Sequence, residues 1–293
     1  MALNNGGLAM RVLFEHMFER FRSILMKQGF TEERASLSAR LFAEASRDGV
    51  YSHGLNRFPV FVNHYIKKGY VHVDASPILV ERLGILERYD GQLGPGNLNA
   101  HFSMGRAIEL ARQYGIGCVA LRNTNHWLRA GSYGWQAAEA GCIGICWTNS
   151  YPHMPPWGSK QAKLGNNPIV FAVPREEGHI VFDTAMSQFS YGKLLIHRDS
   201  GEPLPVDGGY DQDGNLTRDA GLILAAKRML PIGYWKGSGM ALMLDLLAMM
   251  LSGGNGVLHI EKVGTDSHVS QIFIAIDVAR FSDAEETQAK IRD

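Results

Sequence analysis

Apolar side chains recur at helical spacing through the first quarter of the chain. Val12, Phe14, Met17, Phe18, Phe21, Ile24 and Leu25 form one stripe, interleaved with Arg11, Glu15, Glu19, Arg20 and Lys27, which predicts an amphipathic first helix. Thr31 is a suitable N-cap for the run EERASLSARLFAEASRDG and Gly49 a suitable stop, so a second helix of about four turns follows. YSHGLNRFPVFVNHYIKKG predicts a turn and a third helix that Pro59 opens, since a proline in the first turn forfeits no helical hydrogen bond. Residues 1–9 read as a loose extension, and residues 1–76 as a helical N-terminal domain.

Near Ile78 the period changes. ILVERLGILERYDG has the β-branched, apolar content of short strands, and Gly94, Gly96 and Asn97 lead into a helix containing MGRAIELARQYG. Strand and helix patterns then alternate: GCVALRN, the helix SYGWQAAEAG, then CIGICWTNS, NPIVFAVP and HIVFDTA as strands, and the helix SQFSYGKLLIHR. Residues 199–228 are rich in Gly, Pro and Asp and read as a long loop. A glycine-flanked turn, GYWKGSG, precedes the helix MALMLDLLAMML, and SQIFIAID reads as a buried strand. The expectation is an α/β fold, a layered mixed sheet over residues 77–293, behind the helical N-terminal part.

Composition narrows the function more than the fold. Lys plus Arg and Asp plus Glu number 29 each, so no net field recruits nucleic acid or an anionic membrane, and a small-molecule partner is expected. The three cysteines, Cys118, Cys142 and Cys146, sit in apolar runs where a thiol behaves as a small hydrophobe, which suits a reducing cytoplasm. The N-terminal stretch lacks the layout of a signal peptide, and the most apolar run, 240–251, is interrupted by Asp245 and too short to span a bilayer.

Several signatures are missing. The chain has no usable G-x-G-x-x-G, because Gly115 and Gly117 lead from a helix into a strand, the reverse of a Rossmann turn. C-x-x-C, H-E-x-x-H, G-x-S-x-G and P-loop patterns are also absent. What remains is a set of polar clusters. In YSHGLNR, His53 and Arg57 stand four apart: an imidazole can protonate a developing alkoxide, and a guanidinium can grip a carboxylate with two parallel hydrogen bonds, a pairing suited to a 2-keto acid. An ordinary surface His and Arg beside a helix start would look the same.

RNTNHWLRAGSYG crowds Asn123, Asn125, His126 and Arg129 after a strand, where His126 could be a second acid/base group or simply bond loop carbonyls. Thr148, Asn149 and Ser150 close a strand before a proline-stiffened loop, with a rigid structural loop as the alternative. GYWKGSGMALML offers glycines, unpaired N–H groups at a helix start and the charge of Lys236, a plausible phosphate seat or a capped core helix. Asp183 could accept from a ribose hydroxyl or cap the helix that follows it. A metal site of His53, His126 and Asp183 matches no ligand spacing, so no metal is expected.

Taken together, SHGLNRFP, GIGCVALRNTNHW, GSYGWQAAEAGCIGICWTNS, MPPWG, LPVDGGYDQDGNLT, PIGYWKGSGM and SQIFIAID resemble the type II malate/L-lactate dehydrogenase family, from about the first helix to Asp277. The resemblance implies a non-Rossmann NAD-binding fold, a homodimer, and NADH-dependent reduction of a 2-keto acid, with NADP a possible substitute. His53 would be the proton donor, with His126 assigned the acid/base role in some relatives. Arg57 would grip the carboxylate, and Ser150 would touch substrate or nicotinamide. Cofactor contacts would fall on His179, Ile180, Val181, Phe182, Asp183, Thr184 and Ala185, and on Trp235 and Lys236. The family continues through a helical segment with a Pro-Gly-His-Glu motif that also touches the cofactor, whereas this sequence ends at IRD. A sibling 2-hydroxyacid dehydrogenase and a shortened, non-catalytic ligand-binding paralogue are the competing expectations.

Overall fold

The computed structural model describes residues 11–292; the extension expected at residues 1–9 lies outside them. Helices α1 (Phe14–Lys27) and α2 (Glu32–Arg47) form where the stripes predict them, and the Thr31 side chain accepts from Arg34 N to cap α2. Phe21, Leu25, Phe42, Phe58 and Phe61 fill the core of this helical part. The third helix differs from expectation. After one α turn at Pro59, α3 (Phe58–Val60), the chain widens into a π-helical turn, Phe61–Ile66. That turn points Phe61, Val62 and Tyr65 inward together, and its Val62 carbonyl accepts from Lys67 N five residues on.

The remaining elements run β1 (Ile78–Leu83), β2 (Leu86–Asp90), α4 (Gly96–Tyr114), β3 (Ile116–Asn125), α5 (Gly131–Glu139), β4 (Cys142–Thr148), β5 (Pro152–Met154), β6 (Leu164–Gly165), β7 (Ile169–Val173) and β8 (Ile180–Thr184). They continue through α6 (Tyr191–Ser200), β9 (Gly209–Tyr210), β10 (Leu216–Thr217), α7 (Ala220–Ala226), α8 (Trp235–Ser252), α9 (Val257–Val263), β11 (Ser267–Asp277) and α10 (Ala284–Arg292). Seven strands pair in the order β1-β2-β3-β11-β4-β7-β8, all antiparallel except β2 with β3. Because successive strand residues face opposite sides, Val119, Leu121 and Phe273 pack under α4 and α5, while Ala120, Ile272 and Trp147 pack under α8. Strands covered on both faces must be apolar throughout, which explains GCVAL and IFIAI. The architecture is three-layered α/β, and the three thiols are free and packed within it.

Two expectations along the second half need correcting. The segment 199–228 is an ordered subdomain rather than a bare loop: β9 pairs with β10, and α6 and α7 close over Leu194, Leu204, Ile223 and Met229. The helix expected at MALMLDLLAMML begins earlier, at Trp235, so WKGSG lies inside α8. Among the described residues no single helix is long and apolar enough to cross a membrane; α8 meets α9 at 88°, and the inner face of α8 belongs to the core.

Candidate active site

Three chain segments converge at the end of the sheet where β3 finishes. The first is the turn between α2 and α3. Ser46 on α2 holds it, its Oγ accepting from Leu55 N at 2.8 Å while donating to Phe42 O at 2.9 Å. Gly54 is required beneath it, since a Cβ there would overlap Ser46. This anchoring presents His53 and Arg57 to the interior. The second segment is the exit of β3, which delivers Asn125 and His126. The third is the entry to β11: the Asp266 carbonyl accepts from His126 N at 3.2 Å, and its carboxylate accepts from Tyr151 N at 2.6 Å, so one residue ties the His126 segment to the Ser150 segment.

These constraints bring the two candidate histidines together, their rings 5.8 Å apart between centroids and within 14° of parallel. Leu128 N donates to His126 Nδ1 at 3.1 Å, which leaves Nε2 to carry the proton in the neutral ring. Burial, then Arg57 and His53, hold His126 well below the usual imidazole range. His53 pairs through Nδ1 with Ser52 Oγ at 3.1 Å, and burial with Arg57 and Arg129 alongside lowers it to about 4. Next to them lies a narrow pocket, too tight to hold a water molecule. Arg57, Tyr65, Asn125 and His126 line its polar side, and Phe61, Val71 and Leu128 its apolar side. Asn125 spends its amide N–H groups on the Leu93 and Gly94 carbonyls, while its buried Oδ1 has no partner. Arg57 forms no ion pair among the described residues; Arg129, by contrast, is bound to Asp48 at 2.5 Å.

The other candidates stand apart from that pair. Ser150 Oγ is engaged with Asn166 Oδ1 at 2.9 Å, and Asn149 clamps α8 and β11 through Asp245 and Ser270 N, so much of the TNS cluster is structural. Asp183 caps a helix, but not the one that follows it: its Oδ2 accepts from Gly131 N at 2.7 Å, at the start of α5. That bond links edge strand β8, flanked by His179 and Ala185, back to the His126 loop. Met186 in turn donates to Asn166 O and accepts from Ile232 N, which leads to Trp235 and Lys236. Hydrogen bonds therefore run from the His126 loop to β8, and from the residue after Ala185 to the turn before α8. The open phosphate seat is not seen as expected, since the N–H groups of Lys236, Gly237 and Ser238 bond to carbonyls of the preceding turn. Among the described residues no three metal-ligating side chains converge. Tyr65, Thr265 and Asp266 were not singled out in the sequence; only their position in space marks them.

The profile of the malate/L-lactate dehydrogenase family matches residues 12–293. The chain belongs to that family. It is 49% identical to 2,3-diketo-L-gulonate reductase of Citrobacter koseri over 284 residues, 97% of this chain and 85% of the relative. Its fold superposes on malate dehydrogenase from Entamoeba histolytica with a TM-score of 0.91 at 29% identity, covering 96% of this chain and 82% of the other. Sulfolactate dehydrogenase from Methanocaldococcus jannaschii superposes with a TM-score of 0.84 at 31% identity, covering 96% and 82%. Family membership makes this protein an oxidoreductase that works with a nicotinamide cofactor on a small keto acid.

The residues present suit such a cofactor. Trp235 is 65% exposed and Phe182 58% exposed, giving flat apolar surfaces for stacking at the two candidate stretches. Lys236 forms no ion pair among the described residues, which leaves its charge for a phosphate.

Proposed function

We propose that this dehydrogenase reduces 2,3-diketo-L-gulonate to 3-keto-L-gulonate with NADH, as a cytoplasmic homodimer. The observation that carries the reading is the stacking of His53 on His126, which lines one pocket together with an Arg57 that has no carboxylate partner among the described residues. Asn125 Oδ1 supports a hydroxylated substrate, because a buried acceptor without a partner favours a ligand that can donate to it. The 49% identity over 97% of the chain supports the particular substrate. A nicotinamide supplies the hydride. Arg57 fixes the substrate through its carboxylate. His126, locked in the Nε2–H form, donates a hydrogen bond to the carbonyl oxygen and so favours the charge that develops there. His53 delivers the proton that completes the alcohol. β8 and its flanking residues His179 and Ala185, with Trp235 and Lys236, hold the nucleotide.

Apolar side chains on the outward side of α8, Leu242, Met243, Leu246, Leu247 and Met250, support the homodimer, since the inner side already packs on the sheet. The function is tested by following NADH or NADPH consumption with a panel of 2-keto acids. The proposal expects 2,3-diketo-L-gulonate with NADH to have the highest kcat/KM. Preference for oxaloacetate, pyruvate or sulfopyruvate would assign the enzyme to a sibling activity, and ligand binding without turnover would identify a non-catalytic paralogue.

A further inference from the structure

The site carries two arginines held in different ways. Arg129 is neutralised by the Asp48 carboxylate. Arg57 is held by a neutral side chain: its Nη2 donates to Tyr65 Oη at 3.1 Å, and its guanidinium carbon lies 5.2 Å from the centre of the Tyr65 ring. Tyr65 is 5% exposed and projects inward from the π-helical turn. Its hydroxyl also accepts from Thr265 Oγ1 at 3.1 Å. Thr265 precedes Asp266, whose carbonyl holds His126. The phenol thus joins the arginine to the loop that sets the histidine.

We propose that Tyr65 is the positioning residue for Arg57: it orients the guanidinium through its hydroxyl and ring face while leaving the positive charge for a ligand carboxylate. A carboxylate in its place would orient the fork equally well, but would cancel the charge that the substrate needs. The π turn explains how this is built. Widening the helix after α3 brings Tyr65, eight residues beyond Arg57, under the guanidinium in the same layer as Phe61. The inference rests on Arg57 being the carboxylate anchor of the proposed function.

The test uses Tyr65→Phe, which keeps the ring and removes both hydrogen bonds, and Thr265→Val, which removes only the outer one. KM for the 2-keto acid should rise about tenfold in Tyr65→Phe, and by about two- to threefold in Thr265→Val, with kcat within about threefold of the parent. Oxamate, a carboxylate probe that needs no turnover, should bind about tenfold more weakly to Tyr65→Phe by calorimetry in the presence of NADH. In an Arg57→Ala background Tyr65→Phe should have no further effect, which a purely structural tyrosine would not reproduce. Unchanged KM and oxamate affinity in Tyr65→Phe overturn the inference. If no keto acid is turned over but oxamate binds and weakens as stated, the proposed function fails and the positioning role stands. A parent protein that binds no oxamate overturns both.

Discussion

The two imidazoles differ in how they can handle a proton. His126 already accepts a backbone N–H at Nδ1, and a second positive charge beside His53 and Arg57 is strongly opposed, so it is suited to donate a hydrogen bond as a neutral ring. His53 is the easier of the two to charge, although its value of about 4 keeps the free enzyme mostly neutral near pH 7. A substrate carboxylate beside Arg57 offsets the main electrostatic opposition, so keto-acid binding should draw a proton onto His53. The sign of the pH dependence follows. Reduction needs the protonated ring, so its kcat/KM should fall about tenfold per pH unit above about pH 4, whereas oxidation of the hydroxy acid needs the neutral ring and should stay flat over that range. A flat reduction profile would assign the proton to another group. His53→Ala should lower kcat by about 10²- to 10⁴-fold, measured by steady-state NADH oxidation, with substrate affinity largely retained. Arg57→Ala should act chiefly on KM for carboxylate substrates.

At the scale of elements, His126 depends on a helix remote in sequence. The first residue of α4, Gly96, lies so close to the Asn125 and His126 carbonyls that a Cβ would overlap both oxygens. Gly96→Ala should therefore cost about 1–3 kcal/mol by overpacking, read as a lowered Tm. It should also shift His126 enough to reduce kcat/KM by about a hundredfold, since misplacement on the order of 1 Å is that costly. Normal turnover in that variant would show that α4 does not set the site. Gly96 was legible as a helix-start signal, yet nothing local in the sequence shows that its missing side chain makes room for the β3 exit. The same limit applies to α3. Pro59 announced a helix, and the packing of Phe61, Val62 and Tyr65 against α2 and the β11 entry selected the π turn. In 199–228, turn-rich composition concealed the buried side chains of Leu204, Ala220 and Ile223, spaced too irregularly for a periodic signal.

For the whole molecule, the unusual element is α8, apolar on all sides yet covered on one. Its inner residues Ala241, Leu244 and Ala248 join the core, while Met250 is 75% exposed and Leu242, Met243 and Leu246 share its outward face. Such a face, together with exposed Leu258 on α9, is a contiguous apolar surface of the kind that marks a protein–protein contact. If a second copy covers it, Met243→Glu with Leu246→Glu should convert a dimer to a monomer in sedimentation velocity, without loss of helical circular dichroism. A parent chain that is monomeric at micromolar concentration would remove that role from α8.

The sequence by itself determined the layered α/β class, the positions of most helices and strands, and the chemical identity of the candidate donors, because burial on two sheet faces and on helix stripes leaves periodic marks along the chain. It also carried the family resemblance. Only the tertiary structure decided that His53 faces His126, that Asp183 caps α5, that the start of α8 is closed on its own turn, and that Tyr65 holds Arg57. These are contacts between residues from 3 to 73 positions apart, and a hydrogen bond or ring contact of that kind depends on angles and distances that residue order along one strand or helix does not encode.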